Sequence, residues 1–241
     1  MAILCLNTAT EYGAIAVARE GHVLGASSWQ SSERHGENLF GHIDTVLDQA
    51  SVRRNQIQGV GVCVGPGKFT SLRVGLSAAK GIALALDVPI FGVSSLRVLA
   101  RSIETETSLV CVALMNAYRG DLFGGAFRFG GGSDEELVGS AFGSPKEVLS
   151  LLADAVVSEP VAFCGAGASS HLDALRRVFP GALFSSDIVV SPAPRALVDE
   201  VSHVMRSSGP SDLASLEPTY LRPSDAKLPD KALRVDPSNP S

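Results

Sequence analysis

One local pattern occurs twice in the chain and constrains its fold more than any other: an apolar run, then a glycine turn, then a helical pattern. The first copy runs from apolar residues 59–64 into Gly65-Pro66-Gly67, and the second from residues 161–164 into Gly165-Ala166-Gly167. A buried strand that leads through a glycine turn into a helix is typical of sheets covered by helices. The repetition therefore predicts two similar α/β units.

The elements around the two glycine turns also follow one order. In each copy, short apolar runs separated by turn residues predict an antiparallel meander, which an amphipathic helix follows. The first of these helices is predicted at residues 38–50, and the second begins at the capping box Ser144-Pro145-Lys146-Glu147. Two ββ(β)αβα subdomains with mixed sheets flanked by helices form the duplicated α/β fold called actin-like or ribonuclease-H-like.

The polar stretch around residues 104–107 is the best candidate for a boundary between the two units. We expect an N-terminal subdomain at residues 1–104 and a C-terminal subdomain at residues 105–222. Residues 223–241 contain four prolines and little apolar periodicity, so we expect a disordered tail there. Helices are predicted after the two glycine turns, at residues 71–86 and 170–179, and a last helix at 194–205.

Composition excludes several classes of function. The chain has 241 residues, 45% of them hydrophobic, and a net charge of −5 without a polybasic segment, which argues against tight binding of nucleic acid by this chain alone. Each of its four cysteines lies in or at the end of an apolar run, as expected of small buried residues in a reducing compartment. The short apolar N-terminus lacks the charge pattern of a signal peptide, so a cytoplasmic protein without a membrane association is expected.

The first glycine turn is a candidate anion or nucleotide site. A strand that ends in a glycine loop and opens a helix presents free backbone N–H groups to an anion, and Gly65, Gly67, Lys68 and Thr70 are the residues that would form this site. The alternative is a turn whose glycines only permit the change of direction. The loop is not a P-loop, because Phe69 separates the lysine from the hydroxyl residue.

The residues that most enzymes of this architecture need are missing from the sequence. Asn7 and Asn116 end the first strand of each half, where a carboxylate would ordinarily hold Mg²⁺, and amides are poorer ligands for it. No His-Glu-x-x-His motif, Gly-x-Ser-x-Gly motif or acid/base pair occurs. The sequence therefore predicts no catalytic residue and no metal site.

Four segments resemble the TsaB (YeaZ) family, which takes part in threonylcarbamoyladenosine modification of bacterial tRNA. They are Ile3-Leu4-Cys5-Leu6-Asn7-Thr8-Ala9-Thr10, Gly65-Pro66-Gly67-Lys68-Phe69-Thr70-Ser71-Leu72-Arg73-Val74-Gly75, Val93-Ser94-Ser95-Leu96 and Glu217-Pro218-Thr219-Tyr220-Leu221-Arg222. The second segment is the most specific of the four. The chain departs from the family's usual residues at Asn7 and Asn116 (aspartates), Lys68 (serine), Ser71 (glycine) and Tyr118 (arginine).

The resemblance implies a non-catalytic scaffold that pairs with a catalytic TsaD-like paralogue and a TsaE-like ATPase, and that can also form a homodimer. The complex transfers a threonylcarbamoyl group to adenosine 37 of tRNAs that read codons beginning with A. The scaffold would need no cofactor, since ATP or ADP and magnesium would belong to its partners, and it would meet tRNA only through the complex.

The resemblance also implies that helices 38–50 and 71–86 form the partner interface. The residues singled out for it are Leu39, Phe40, Ile43, Gly75, Ala79 and Ala83. Small residues four apart let another helix approach closely, although the same residues could instead pack against the chain's own sheet. Two other functions stay open: an actin-like ATP-dependent small-molecule kinase or ATPase that uses the glycine loop, and a metallopeptidase.

Overall fold

The structure is a computed structural model that describes residues 1–30, 35–103, 109–130, 134–157, 159–182 and 188–221. The predicted boundary at residue 104 and the predicted tail at 223–241 lie outside these residues. The expected α/β architecture is confirmed, because two mixed sheets flanked by helices make up the two halves of the molecule.

The first half contains a five-stranded sheet in the order β3-β2-β1-β4-β5. Strands β1, β2 and β3 form the predicted antiparallel meander, and β4 and β5 extend it in parallel with β1. These strands are β1 (Ala2–Asn7), β2 (Tyr12–Arg19), β3 (His22–Gln30), β4 (Ile57–Gly65) and β5 (Ile90–Ser94). β1 is buried along its whole length, as expected of the central strand of a sheet covered on both faces.

Two long helices, α1 (His35–Ala50) and α2 (Phe69–Leu86), cover one face of this sheet, and both begin earlier than their apolar patterns predict. Their buried residues join a core with those of β1, β2 and β4. Helix α2 is the one described helix whose length and hydropathy would allow it to cross a membrane. It nevertheless packs against the rest of the chain, because it lies along β4 and its Lys80 ammonium donates to the carbonyls of Ala214 and Leu216.

The second half repeats the arrangement with four strands in the order β8-β7-β6-β9. The strands are β6 (Val110–Asn116), β7 (Leu122–Arg128), β8 (Glu135–Gly143) and β9 (Val161–Cys164). β6 pairs antiparallel with β7 and parallel with β9, as β1 does with β2 and β4. Helix α4 (Pro145–Ala155) begins with the predicted capping box, in which Ser144 and Glu147 bond to each other's backbone N–H groups.

The helix predicted at residues 170–179 differs in the structure. The segment after the second glycine turn forms two short helices, α5 (Ala166–Ser170) and α6 (Leu172–Val178). The break falls at His171, whose backbone conformation is not helical and whose N–H donates to the Ala168 carbonyl. The apolar pattern predicts the helix but not this break, which a local hydrogen bond determines.

The assignment of residues 105–222 to the second half needs a correction. Helix α7 (Pro194–Ser207) packs across the first sheet, where Leu197, Val198 and Val201 join the core that contains residues of β1, β4 and β5. The segment after α7 continues along the first half, since the Thr219 N–H donates to the Val64 carbonyl. Helix α7 covers the face of the first sheet that lies opposite α1 and α2. The chain therefore returns to the first half after the second sheet.

Helix α3 (Ser95–Arg101) follows β5 and lies against both halves. Two of its arginines, Arg97 and Arg101, converge on Glu200 of α7, with Arg97 Nε 2.6 Å and Arg101 Nη2 2.9 Å from its carboxylate oxygens. Arg101 also pairs with Asp134, which precedes β8 of the second half. Glu200 is buried, so this charge network connects the two halves where water is largely excluded.

Candidate functional site

A cleft of about 360 Å³ lies between the two halves, where β1 and β6 end. Asn7 at the end of β1 and Asn116 at the end of β6 both line it, as the duplicated architecture predicts. Asn7 is buried and its Oδ1 accepts the N–H of Ala9 at 2.9 Å, while the Asn116 Nδ2 donates to the Ser170 hydroxyl at 3.2 Å. The cleft therefore presents amides where a hard cation would need carboxylates.

The glycine loop reaches the cleft with only part of its predicted site. Gly67 and Lys68 line the cleft, whereas Gly65 is buried next to Thr219 and Thr70 is exposed outside the lining. A side chain at position 67 would collide with the backbone of Ala9, so only glycine lets the loop pack here. The Lys68 N–H donates to the Ala9 carbonyl at 2.8 Å, which fixes the loop against the end of β1.

Lys68 carries the positive charge of the cleft. Its ammonium lies 3.3 Å from the Glu11 carboxylate, and both side chains are partly exposed, so the ion pair is weak. Lys68 is also the N-cap residue of α2 and gives this helix no side-chain cap. The uncapped N-terminus adds the positive end of an 18-residue helix beside the lysine.

Ser95 belongs to the cleft lining and is 3% exposed, but its Oγ is closed to solvent. Burial raises the pKa of the neighbouring Cys63 thiol, and a side-chain hydrogen bond with Ser95 opposes this rise. Sequence reasoning missed Ser95 as a site residue, because nothing in Val93-Ser94-Ser95-Leu96 distinguishes it from its neighbour Ser94, which caps α3.

The four cysteines are free and buried, as predicted. Burial raises the pKa of the Cys5 thiol to about 12 and that of Cys111 to about 11, and it raises the pKa of Cys63 and Cys164 as well. Neutral, inaccessible thiols are unreactive. Among the described residues, no group of three or more histidine, cysteine or acidic side chains has the geometry of a metal site.

Most of the residues singled out for a partner interface face inward. Leu39, Ile43, Ala79 and Ala83 are each at most 4% exposed and belong to the core of the first half. Gly75 is buried, and a side chain there would collide with the Thr8 hydroxyl. The small-residue stripe therefore packs against the chain's own sheet, and it does not contact the solvent in which a partner would approach.

Each of the same two helices nevertheless exposes a large apolar side chain on its outer face. Phe40 of α1 is 59% exposed, as predicted, and Leu84 of α2 is 72% exposed. Only five of the 18 residues of α2 are buried, although the helix is apolar enough to resemble a membrane span. Of the six residues predicted for the interface, Phe40 is exposed and the other five are buried.

The fold and cleft define a class of protein: a two-lobed actin-like α/β protein in which amides, Asn7 and Asn116, stand at the two strand ends that line the cleft. Comparison with known proteins is more specific. The family model described as TsaD, tRNA N6-adenosine threonylcarbamoyltransferase, matches residues 27–216. The chain belongs to this family.

Individual relatives agree with this assignment. The chain is 26% identical to the tRNA threonylcarbamoyladenosine biosynthesis protein TsaB of Bacillus subtilis, over 94% of this chain and 96% of that protein. It is 30% identical to the tRNA N6-adenosine threonylcarbamoyltransferase of Syntrophotalea carbinolica over 63% of this chain, but it matches only 51% of the transferase. The predicted likeness to the TsaB branch is thereby confirmed.

A solved structure shows the same fold. YeaZ from Pseudomonas aeruginosa superimposes with a TM-score of 0.77 at 23% sequence identity, covering 91% of this chain and 99% of that one. This agreement confirms the predicted duplicated actin-like architecture.

Proposed function

We propose that this chain is a non-catalytic subunit in the biosynthesis of threonylcarbamoyladenosine on tRNA. The full-length match to a TsaB protein carries the proposal, because it covers both halves, whereas the match to the transferase covers about half of the transferase's length. The cytoplasm, where tRNA is modified, is its expected location.

The cleft supports a role without catalysis by this subunit. Phosphoryl or acyl transfer through a nucleotide needs carboxylates that hold Mg²⁺ and a base near the reacting atom. Asn7 and Asn116 occupy the two strand ends, and neither amide can act as a base. The carboxylate in the cleft lining, that of Glu11, is paired with Lys68.

The outer face of α1 and α2 supports pairing with a TsaD-like catalytic subunit. Each of the two adjacent helices exposes at least one large apolar side chain, and phenylalanine is among the residues enriched at interfaces. The same face would serve a homodimer, since a second copy presents the same apolar residues.

A TsaE-like ATPase would join this assembly, and tRNA would bind to the assembly and not to this chain alone, whose net charge is −5.

The test is the nucleoside content of tRNA in cells depleted of this protein. We expect threonylcarbamoyladenosine, measured by mass spectrometry of digested tRNA, to fall on depletion and to return when the wild-type gene is restored. A Lys68→Gln variant removes the positive charge of the cleft and should restore the modification fully. Unchanged modification after depletion would contradict the proposed function, and failure of the Lys68→Gln variant would contradict the non-catalytic role.

The kinase or ATPase alternative has a separate test. Calorimetric titration of the isolated chain with ATP and Mg²⁺ should show no binding, because the strand-end amides are poor partners for the metal. Micromolar affinity that disappears on chelation of Mg²⁺ would support the alternative.

A further inference from the structure

We propose that the start of α2 and the segment after α7 form an arginine anchor that binds a carboxylate of a partner protein. The anchor consists of Phe69, Arg73 and Tyr220. The inference rests on the proposed function for its partner, the TsaD-like catalytic subunit. It adds a charged contact to the apolar contacts at Phe40 and Leu84.

The three side chains of the anchor form one cluster at the surface. The Arg73 guanidinium carbon lies 3.7 Å from the centre of the Phe69 ring, and the Phe69 and Tyr220 ring centres are 5.1 Å apart. The Arg73 Nε donates to the Tyr220 hydroxyl at 2.9 Å. Phe69 is 52% exposed and Tyr220 43% exposed, so one side of the cluster faces solvent. An arginine that stacks on a ring and donates to a hydroxyl keeps little rotational freedom.

The backbone beneath the anchor is fixed by contacts with the rest of the chain. Helix α2 begins at Phe69, and the N–H of the residue before it donates to the Ala9 carbonyl. The Thr219 N–H donates to the Val64 carbonyl at 2.7 Å, and Leu221 packs against a core that contains residues of α3. The tyrosine of the anchor therefore stands between two fixed residues. A preorganised group loses little conformational entropy on binding, which suits it to recognition.

The positive charge of the anchor is not compensated within the described part of the chain, where no carboxylate forms an ion pair with Arg73. Its Nε is used by Tyr220, which leaves the two NH₂ groups of the guanidinium to donate. The neighbouring Lys68, in contrast, is paired with Glu11, and Lys80 donates to two backbone carbonyls. The planar guanidinium matches the two oxygens of a carboxylate. The anchor therefore favours an acidic group.

A carboxylate of a protein fits the anchor better than a phosphate of RNA. Affinity for RNA comes from many cations that each neutralise a phosphate, whereas Arg73 is a single charge on a chain whose net charge is −5. Phenylalanine, tyrosine and arginine are all enriched at protein interfaces. The composition of the cluster therefore indicates a protein partner.

The anchor is continuous with the outer face of α2. Exposed residues recur every three or four positions along this helix, at Phe69, Arg73, Ser77, Gly81 and Leu84. Residues with this spacing share one side of a helix, and the rise from Phe69 to Leu84 is about 22 Å. A subunit that covers Leu84 can therefore also reach Arg73, and its carboxylate would lie at the start of α2.

The affinity of the full-length chain for the TsaD-like protein from the same cell, measured by calorimetry, tests the anchor. Arg73→Gln removes the charge and should weaken the complex about tenfold. Tyr220→Phe keeps the ring but releases the arginine, and it should weaken the complex about threefold. Arg206→Gln, which changes an exposed arginine of α7, is the control and should leave the affinity unchanged. Added salt should weaken the wild-type complex more than the Arg73→Gln complex.

A zero-length cross-link identifies the group that the anchor binds. In the Arg73→Lys variant, a carbodiimide should join the amine at position 73 to a carboxylate of the partner through an amide bond, with loss of water. Peptide mass spectrometry then locates the acidic residue. The Arg206→Lys variant should give no cross-link from position 206.

The results separate the anchor from the proposed function. If the wild-type chain forms no complex, the proposed pairing with a TsaD-like protein is wrong. If it forms a complex that Arg73→Gln and Tyr220→Phe leave unchanged, or that gives no cross-link from position 73, only the anchor is wrong. Lower stability of Tyr220→Phe with unchanged affinity would assign the cluster to holding the segment after α7. If Arg73→Gln weakens only the binding of tRNA to the assembled complex, the arginine binds a phosphate, and the proposal is overturned.

Discussion

The two halves of the molecule share a framework but differ in the helix that follows the glycine turn. Both sheets place the first strand between an antiparallel and a parallel neighbour, and both glycine turns pack against backbone near the end of that strand. In the first half the turn opens an unbroken helix of 18 residues. In the second half it opens helices of five and seven residues, divided at His171.

The cysteines show where the correspondence between the two frameworks ends. Cys5 pairs with Gly61 across β1 and β4, and Cys63 lies two residues further along. Cys111 pairs with Ala162 across β6 and β9, and Cys164 again lies two residues further along. The positions are not equivalent, however, because Cys5 lies two residues before Asn7, whereas Cys111 lies five residues before Asn116.

The difference between the halves shows where an interface can form. An unbroken α2 beside α1 offers a continuous outer face with Phe40 and Leu84 exposed. The break at His171 leaves the second half without an equivalent long face. On the proposed function, the first half would present the surface for a partner, and the second half would complete the cleft.

The largest expected effect concerns the charge network that connects the halves. Glu200→Gln removes the buried carboxylate that Arg97 and Arg101 share, but both arginines keep Asp134, so we expect a loss of stability of up to about 3–5 kcal/mol, the cost of an uncompensated buried charge. Asp199→Ala removes a partly exposed pair on the same helix and should cost less than about 1 kcal/mol. Urea unfolding measures both, and equal small losses would show that the network does not hold the halves together.

The two glycine turns should respond alike if the halves share their framework. A side chain at Gly67 or at Gly167 would meet the backbone of Ala9 or of Leu114, so alanine at either position should destabilise the fold by about 1–3 kcal/mol. Gly81, in α2, has open space around it. Gly81→Ala should stabilise by about 0.5–1 kcal/mol, because alanine favours a helix. If thermal unfolding shows that the free energies of unfolding of Gly67→Ala and Gly167→Ala differ by several kcal/mol, the two halves do not share their framework at the glycine turns.

Helix capping should give the smallest effects, with opposite signs in the two halves. Ser144→Ala removes the cap of α4 and should cost about 1 kcal/mol. Lys68→Ser provides the cap that α2 lacks and should add a similar amount. Paired denaturation curves measure both changes. A loss of stability in Lys68→Ser would mean that the lysine contributes more to the fold than its exposed ion pair suggests.

The sequence predicts the framework because it rests on local signals. Apolar runs, glycine turns and the capping box at Ser144 correctly locate the strands and most helices. The sequence leaves the direction of Ala79 open and does not predict the return of α7 to the first sheet, because both depend on which face of a helix meets a distant strand. Ser95 shows the same limit, since its burial beside Cys63 becomes visible only when the surroundings are known.

The central claim is that the outer face of α1 and α2 binds a catalytic partner, and the mass of the purified complex tests it most directly. A TsaD-like protein from the same cell is mixed with wild type, with a Phe40→Glu/Leu84→Glu variant, or with Leu151→Glu, which changes an exposed leucine of α4. The account predicts a stable complex with wild type and with Leu151→Glu, and at least about thirtyfold weaker association with the double variant. A complex of unchanged mass and affinity with the double variant would contradict it.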